Sequence, residues 1–354
     1  MRILHASHTH LKTLGSHNYF LPVRINNGFI RNNHEVFWFS DRDVARHFAP
    51  IRSRKFGVRA CNRKFLEVCR NFEPDVIALS TQDVLHAETL AQARRILPNV
   101  AIFQYFIDPL FLDWNMRNVS SKADVVDWTF VTTGGPVLRR IAGEHSRVAY
   151  IPNPVDPSID VHRCHERSDQ PYDVFFAGHI SKWLHPDDLR GRAPSLIAEH
   201  LPDVRCAFYG HSGRPSVFGA AFMRALGEAR IGLNFSQRDE ASRPGPGGEL
   251  YLYSSDRIGL YMGNGLLVFT TRSFNLSDVY GSDAIVEVEG ADDFIDKLRY
   301  YVDHEDARRD MAAHSYALAH SEFNERLVAQ YMVETTLGLT PSHEYRWPTE
   351  SFAR

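Results

Sequence analysis

Short apolar runs alternate along the whole chain with stretches in which apolar residues return every three or four positions. In the first half the runs Arg2–Ser7, Glu35–Ser40, Val76–Ser80, Ala101–Phe106, Trp128–Thr132 and Val148–Ile151 are rich in β-branched or aromatic residues and read as strands. His17–Arg31, Arg59–Asn71 and His86–Ile96 have helical spacing, and Gly134-Gly135-Pro136 opens a short helix through Ile141. Pro152-Asn153-Pro154-Val155-Asp156-Pro157 then stops any regular element and stiffens a hinge. Beyond it the alternation restarts with strand Asp173–Ala177, a helix from Ala193 to His200, strand Val204–Tyr209, helix Ser216–Glu228 and strand Ile231–Phe235. A long polar loop, Ser236–Ser255, leads into a helix and the strand Leu266–Thr270. Strand Ala284–Val288 and two amphipathic helices, Asp292–Tyr301 and Glu305–Leu337, follow.

Strand–helix alternation in both halves predicts an α/β protein of two doubly wound, Rossmann-like domains facing a cleft. The expected boundaries are 1–152 for a first domain, 153–335 for a second, and 336–354 for a tail packing back toward the first domain. At 354 residues, with 44% hydrophobic and 12% aromatic content, the chain can bury two cores. Ligands of such sheets lie beyond the carboxyl ends of the strands, so polar residues directly after each strand are the site candidates.

The stretch Tyr253–Thr271 is the most informative of these. A polar loop feeds a helix, a Gly turn and a buried strand, and helix starts attract anions through unpaired N–H groups and the helix dipole. Arg257 adds a forked cation, Gly265 permits the sharp turn, and Tyr253, Ser254, Ser255 and Asn264 complete the expected phosphate site. Gly178, after the first strand of the second half, and Arg238 and Arg243, in a loop with Pro244-Gly245-Pro246-Gly247-Gly248, are expected to join it, the loop as a lid. Asp108, directly after an apolar strand, is the first candidate for a catalytic base; His17 and His179 follow.

Charge is distributed unevenly. Residues 1–150 hold 20 Lys and Arg against 13 Asp and Glu, while the rest hold 20 against 30. A basic first half suits an anionic membrane surface or an anionic acceptor. No apolar run reaches the length of a membrane span, no apolar leader follows Met1, and four scattered cysteines offer neither disulfide framework nor zinc spacing. A cytoplasmic protein, peripheral on the inner face of the plasma membrane, is the expectation. GxSxG, P-loop and GxGxxG motifs are absent, which removes the main support for hydrolase, ATPase and dinucleotide-dependent readings. His8-Thr9-His10 and His162-Arg163-Cys164-His165 lack metal-ligand spacing, and the acidic second half argues against nucleic acid.

The two-domain layout, the hinge Ile151–Asp156, Val174-Phe175-Phe176-Ala177-Gly178, Arg257 to Gly265 with Leu266-Leu267-Val268, Asp306-Ala307-Arg308 and Phe323-Asn324-Glu325-Arg326 together resemble the GT-B glycosyltransferases, especially those that build bacterial surface polysaccharide. The resemblance is best over residues 148–335. It implies transfer of a sugar from a nucleotide-activated donor, itself a substrate rather than a cofactor, to a cell-surface glycan or glycolipid of lipopolysaccharide, O-antigen or capsule type. Asp41-Arg42-Asp43 is the one Asp-x-Asp after a strand and falls in the acceptor half, so no obligatory metal is expected. The family commonly holds the donor ribose with a glutamate where this chain has Leu260. An unusual donor, such as a CMP-activated acid sugar, then competes with loss of catalysis. A nucleotide-sugar epimerase of the same fold and a glycan-binding or scaffold protein stand as alternatives.

Overall fold

The computed structural model describes residues 1–49, 51, 53–80, 83–179, 187–211, 214–236 and 243–354. The chain divides into two compact units, one formed by 1–152 with 325–354, the other by 153–324.

The first unit opens with strand β1 (Arg2–Ala6), helix α1 (Leu21–Arg31), β2 (Glu35–Phe39), α2 (Asp41–His47), α3 (Arg54–Phe72) and β3 (Val76–Leu79). It continues with α4 (Ala87–Ile96), β4 (Ala101–Phe106), α5 (Asp113–Ser120), β5 (Trp128–Val131) and β6 (Arg147–Tyr150). β3 is buried at every position, as a strand covered on both faces by helices must be. Apolar side chains of α3 and α4 pack against β1 and β3 around Phe65, Ile77, Leu79 and Leu90. α2 and α5, which are short and polar, have no counterpart in the sequence expectation.

The second unit holds β7 (Tyr172–Ala177), α6 (Leu189–His200), β8 (Cys206–Tyr209), α7 (Gly219–Gly227), β9 (Ala229–Leu233) and α8 (Arg257–Gly263). β10 (Leu267–Thr271), α9 (Ser277–Tyr280), β11 (Ile285–Val288), α10 (Ala291–Asp303) and α11 (Glu305–Glu322) complete it. Its five strands run in the order β11-β10-β9-β7-β8, and all neighbours pair parallel.

The helix expected over Glu305–Leu337 is two helices, because α12 (Glu325–Leu337) starts anew after Phe323-Asn324. Asn324 Nδ2 donates back to the carbonyls of His320 and Ser321, and the Phe323 carbonyl accepts from the Val155 N–H at 2.9 Å, so the α11 ladder ends there. The chain therefore rejoins the first unit at 325 rather than at 336. α12 lies on α1, where Gly28 faces the Glu325 backbone so closely that a Cβ would stand 2.2 Å from its carbonyl oxygen. Buried Glu325 pairs with Arg31. In the tail, Tyr345 donates to Glu334 at 2.7 Å, and β12 (Ser351–Phe352) pairs antiparallel with β6. The first sheet thus reads β12-β6-β5-β4-β3-β1-β2.

Gly28→Ala is expected to destabilise the first unit by roughly 1–3 kcal/mol, the usual cost of overpacking. Denaturant unfolding followed by tryptophan fluorescence reads it; an unchanged midpoint would refute the close α1–α12 contact.

Candidate donor-phosphate site

At the carboxyl end of the second sheet, the central strands β7 and β9 deliver Phe176, Gly178, Phe235 and Ser236 to one place. Two guanidinium groups converge there. Arg257, the first residue of α8, donates through Nη2 to the Phe235 carbonyl at 3.2 Å and to Ser236 Oγ at 3.5 Å. Arg190, from the first turn of α6, donates through Nη2 to the His179 carbonyl at 2.7 Å and through Nη1 to the Phe235 carbonyl at 3.4 Å. Each guanidinium carbon stands 5.4 Å from the centre of the Phe176 ring, a cation–π distance. Gly178 makes room for both: a Cβ there would meet Arg190 Nη2 at 2.9 Å and Arg257 Nη1 at 3.2 Å.

Among the described residues neither arginine has a carboxylate at ion-pair distance, and the Nε of each is buried without an acceptor. Burial, and after it the charge of Arg257, lowers the Arg190 pKa to about 9, so the group is still a cation at neutral pH. Two neighbouring like charges held by carbonyls and a ring form a place suited to an anion. A carboxylate or phosphate in forked contact would relieve both the repulsion and the orphaned N–H groups.

A cavity of about 500 Å³ lies at the carboxyl ends of the same sheet, lined by Asp188, Ser236, Thr271, Arg272, Phe274 and Glu289 among others. Its size is that of a small-molecule pocket, and Ser236 belongs to both the cavity and the Arg257 contact.

Of the residues expected from the sequence, Gly178 and Arg257 meet at this point. The His179 side chain is exposed while its carbonyl receives Arg190. Tyr253 is buried, edge-on to Phe274 at 5.9 Å. Ser255 donates to Asn234 Oδ1 at 3.1 Å, just after β9. Ser254 is fully buried, and both its hydroxyl and its carbonyl accept from the Asn153 side-chain amide, at 2.9 and 3.0 Å.

Asn264 and Gly265 stand at the other end of α8. The Asn264 amide donates to Asp160 Oδ1 and to the Leu260 carbonyl, its Oδ1 accepts from His162 N–H, and a Cβ on Gly265 would lie 2.4 Å from His165 Nδ1. These residues hold the chain together rather than line the arginine pair. Arg238 lies outside the described residues, and Arg243 is paired with Glu249 at 3.2 Å. Arg190 escaped the sequence reading because its place beside Arg257 exists only in three dimensions.

The candidates of the first unit gather separately. His17 stacks on His10 at 4.8 Å, His10 meets His8 at 4.1 Å, and Ser16 Oγ lies 2.9 Å from His17 Nδ1. Burial lowers all three ring pKa values, to about 3 for His8 and about 4 for His10, so these rings are neutral at physiological pH. Asp108 is half-buried two residues beyond β4. Although burial opposes it, Asp43 stays below the usual carboxylate range because Ser40, the Leu11 N–H and Thr9 donate to it and Arg46 pairs with it. Asp41 is the opposite: fully buried at the start of α2, with neither oxygen hydrogen-bonded, it is pushed up by burial to about 7. No cluster of three or more His, Cys, Asp or Glu among the described residues is placed to hold a metal.

Residues 192–334 match the family model described as glycosyl transferase-like. Sucrose-phosphate synthase from Thermosynechococcus elongatus superposes with a TM-score of 0.60 at 11% identity, over 96% of this chain and 98% of that one. AviGT4, a glycosyltransferase involved in avilamycin A biosynthesis, gives 0.58 at 14% identity over 95% and 97%. HepE of Anabaena, solved with UDP-glucose, gives 0.56 at 12% identity over 96% and 100%. No curated protein matches the chain in sequence. The likeness to GT-B glycosyltransferases expected from the sequence is thereby borne out: the fold is theirs, two parallel-sheet, Rossmann-like units in one chain.

Asp41 gives a prediction with a definite sign. Its carboxyl loses its proton near 3.8 in the unfolded chain and near 7 in the folded one, so stability should fall as pH rises between those values and level off above. Asp41→Asn lacks that fall and should gain on the parent by on the order of a few kcal/mol from pH 4 to pH 8. Denaturant midpoints across that range measure it; parallel curves would reject the buried, unpaired carboxyl.

Proposed function

We infer that the chain is a glycosyltransferase that moves a sugar from a nucleotide-diphosphate donor to a cell-surface glycan or glycolipid. The observation that carries this reading is the pair Arg190 and Arg257, the first half-buried and the second buried, both over Phe176 with no carboxylate at ion-pair distance among the described residues. A departing nucleoside diphosphate gathers negative charge as the glycosidic bond breaks, and preorganised cations in a water-poor site stabilise that charge more than they stabilise the ground state. Two cations favour a diphosphate over the single phosphate of a CMP-sugar. The neighbouring cavity takes the nucleoside, with Asp188 and Glu289 as the carboxylates placed toward its ribose.

Leu260 is buried in α8, and the reading moves the ribose contact that the family makes from that position to the carboxylates of the cavity. The reading assigns the acceptor to the first unit, with Asp108 as the base that takes the acceptor hydroxyl proton and His17 and His179 as partners of sugar hydroxyls. The donor is a substrate, and the arginines do the electrostatic work that a metal ion does elsewhere. The enzyme acts in the cytoplasm, at the inner face of the plasma membrane where a glycolipid acceptor is presented.

Isothermal titration with UDP, GDP, dTDP and CMP is expected to show one diphosphate bound best. Arg257→Ala and Arg190→Ala should each weaken it by roughly 1.5–3 kcal/mol, the scale of charge-assisted hydrogen bonds. Failure of every nucleotide to bind would favour the scaffold alternative and reject transferase and epimerase together. Asp108→Asn should abolish transfer to cell-envelope acceptors while leaving nucleotide affinity intact; near-normal turnover would dismiss it as the base.

A further inference from the structure

The nineteen-residue helix α3 buries Gly57, Cys61, Asn62, Phe65, Leu66 and Cys69 and turns a cationic face outward. Lys55, Arg59, Arg63 and Arg70 are exposed, and at ~100° per residue they fall within one arc of about 100°, with Phe56 at its edge. Lys55, Arg59 and Arg63 have no ion-pair partner among the described residues, and neither does Lys12 in the loop after β1.

Large apolar side chains crowd the same region. Leu11 is 66% exposed, Leu14 92%, Phe48 45%, Ile51 69% and Phe56 66%. Single exposed apolar residues need no explanation, but these five fall in two short segments, 11–14 and 48–56. The segments meet: the Leu11 N–H donates to Asp43 in α2, and Leu11, Phe37 and Phe48 line one apolar groove of about 480 Å³, with Lys64 over the Phe48 ring at 5.4 Å.

We propose that this face of the first unit, formed by α3's outer stripe, Phe48, Ile51, Phe56 and the loop carrying Leu11 to Leu14, rests on an anionic lipid bilayer. Charge complementarity and apolar exposure choose the occupant together. A lipid interface accepts aliphatic side chains into the boundary of its acyl region while its negative headgroups meet the surrounding Lys and Arg. A nucleic acid rewards the cations but leaves Leu14 and Ile51 in water. The proposal deepens the glycolipid-acceptor reading by placing the membrane, and it is tested without any nucleotide.

Sedimentation of the full chain with phosphatidylcholine vesicles and with vesicles carrying roughly 30% phosphatidylglycerol separates the outcomes. Binding is expected to the anionic vesicles alone and to weaken as salt screens the headgroups. The triple variant Lys55→Glu, Arg59→Glu, Arg63→Glu should lose at least about tenfold in partitioning. Ile51→Ser with Phe56→Ser, which keeps every charge, should weaken it as well. Melting temperature and UDP affinity of both variants should match the parent, which separates loss of docking from loss of fold and from failure of the donor reading. Absence of parent binding to anionic vesicles, equal binding by the variants, or tighter binding to duplex RNA than to vesicles would overturn it.

Discussion

Two neighbouring cations, buried Arg257 and half-buried Arg190, with no carboxylate at ion-pair distance among the described residues, are the constraint around which the second unit is arranged. A desolvated guanidinium without a counter-charge costs several kcal/mol unless other groups compensate, and elsewhere the chain supplies partners. Fully buried Arg308 makes a two-pronged contact with Glu305 at 2.7 and 2.8 Å, and Arg205 and Arg230 both reach Asp173. Arg190 and Arg257 depart from that pattern. Among the described residues their hydrogen bonds go to the carbonyls of Phe235 and His179 and to Ser236, and both stand over the face of Phe176. Such partial compensation leaves a binding free energy to be collected by an anion, which is how a protein stores affinity for phosphate at the expense of its own stability.

Holding two cations in that state demands rigid surroundings. The carbonyls lie just beyond β7 and β9, neighbouring strands of the second sheet, and Phe235 is itself packed into that sheet's core. Gly178 must lack a side chain, since a Cβ would press on both guanidinium groups at once. α8 is pressed in with equal economy: Gly259 lies against the Asn153 and Pro154 carbonyls, and Gly232 on β9 clears the Tyr261 ring. The first unit handles charge differently. Asp43 collects three hydrogen bonds and an ion pair, and Asp83 takes both Arg42 and Arg54, leaving Asp41 as the buried carboxyl without compensation.

Most of the fold was legible because buried parallel strands are short, β-branched and aromatic, and every one of the eleven parallel strands falls on such a run. The break at Phe323-Asn324 was not, since helical periodicity continues through it and only the Asn324 side chain and the Val155 N–H end the helix. α2 and α5 are too short and polar to carry a periodic signal. Within the site, Arg257 stood out as a cation at the start of an apolar helix. Ser254 and Asn264 looked the same as ligand-binding residues because a polar side chain beside a helix reads alike whether it serves a ligand or its own backbone. Arg190 carried no local signal, for its partner is 67 residues away in the chain.

The apolar character of α8 bears on what such a site can discriminate. Ile258, Leu260, Tyr261 and Met262 are all buried, so the helix has no face from which a carboxylate could reach a sugar ring. Its contribution is to fix Arg257. On the proposed reading the phosphates meet two fixed cations, whereas the nucleoside meets an open cavity in which Glu289 is itself exposed and paired with Arg272. A hydrogen bond to a well-fixed ionised group is worth more than one to a solvated side chain that already has a partner. On that reading affinity comes chiefly from the diphosphate and discrimination among bases and riboses is weak, because a site rejects an analogue strongly only when the analogue leaves buried polar groups unpaired.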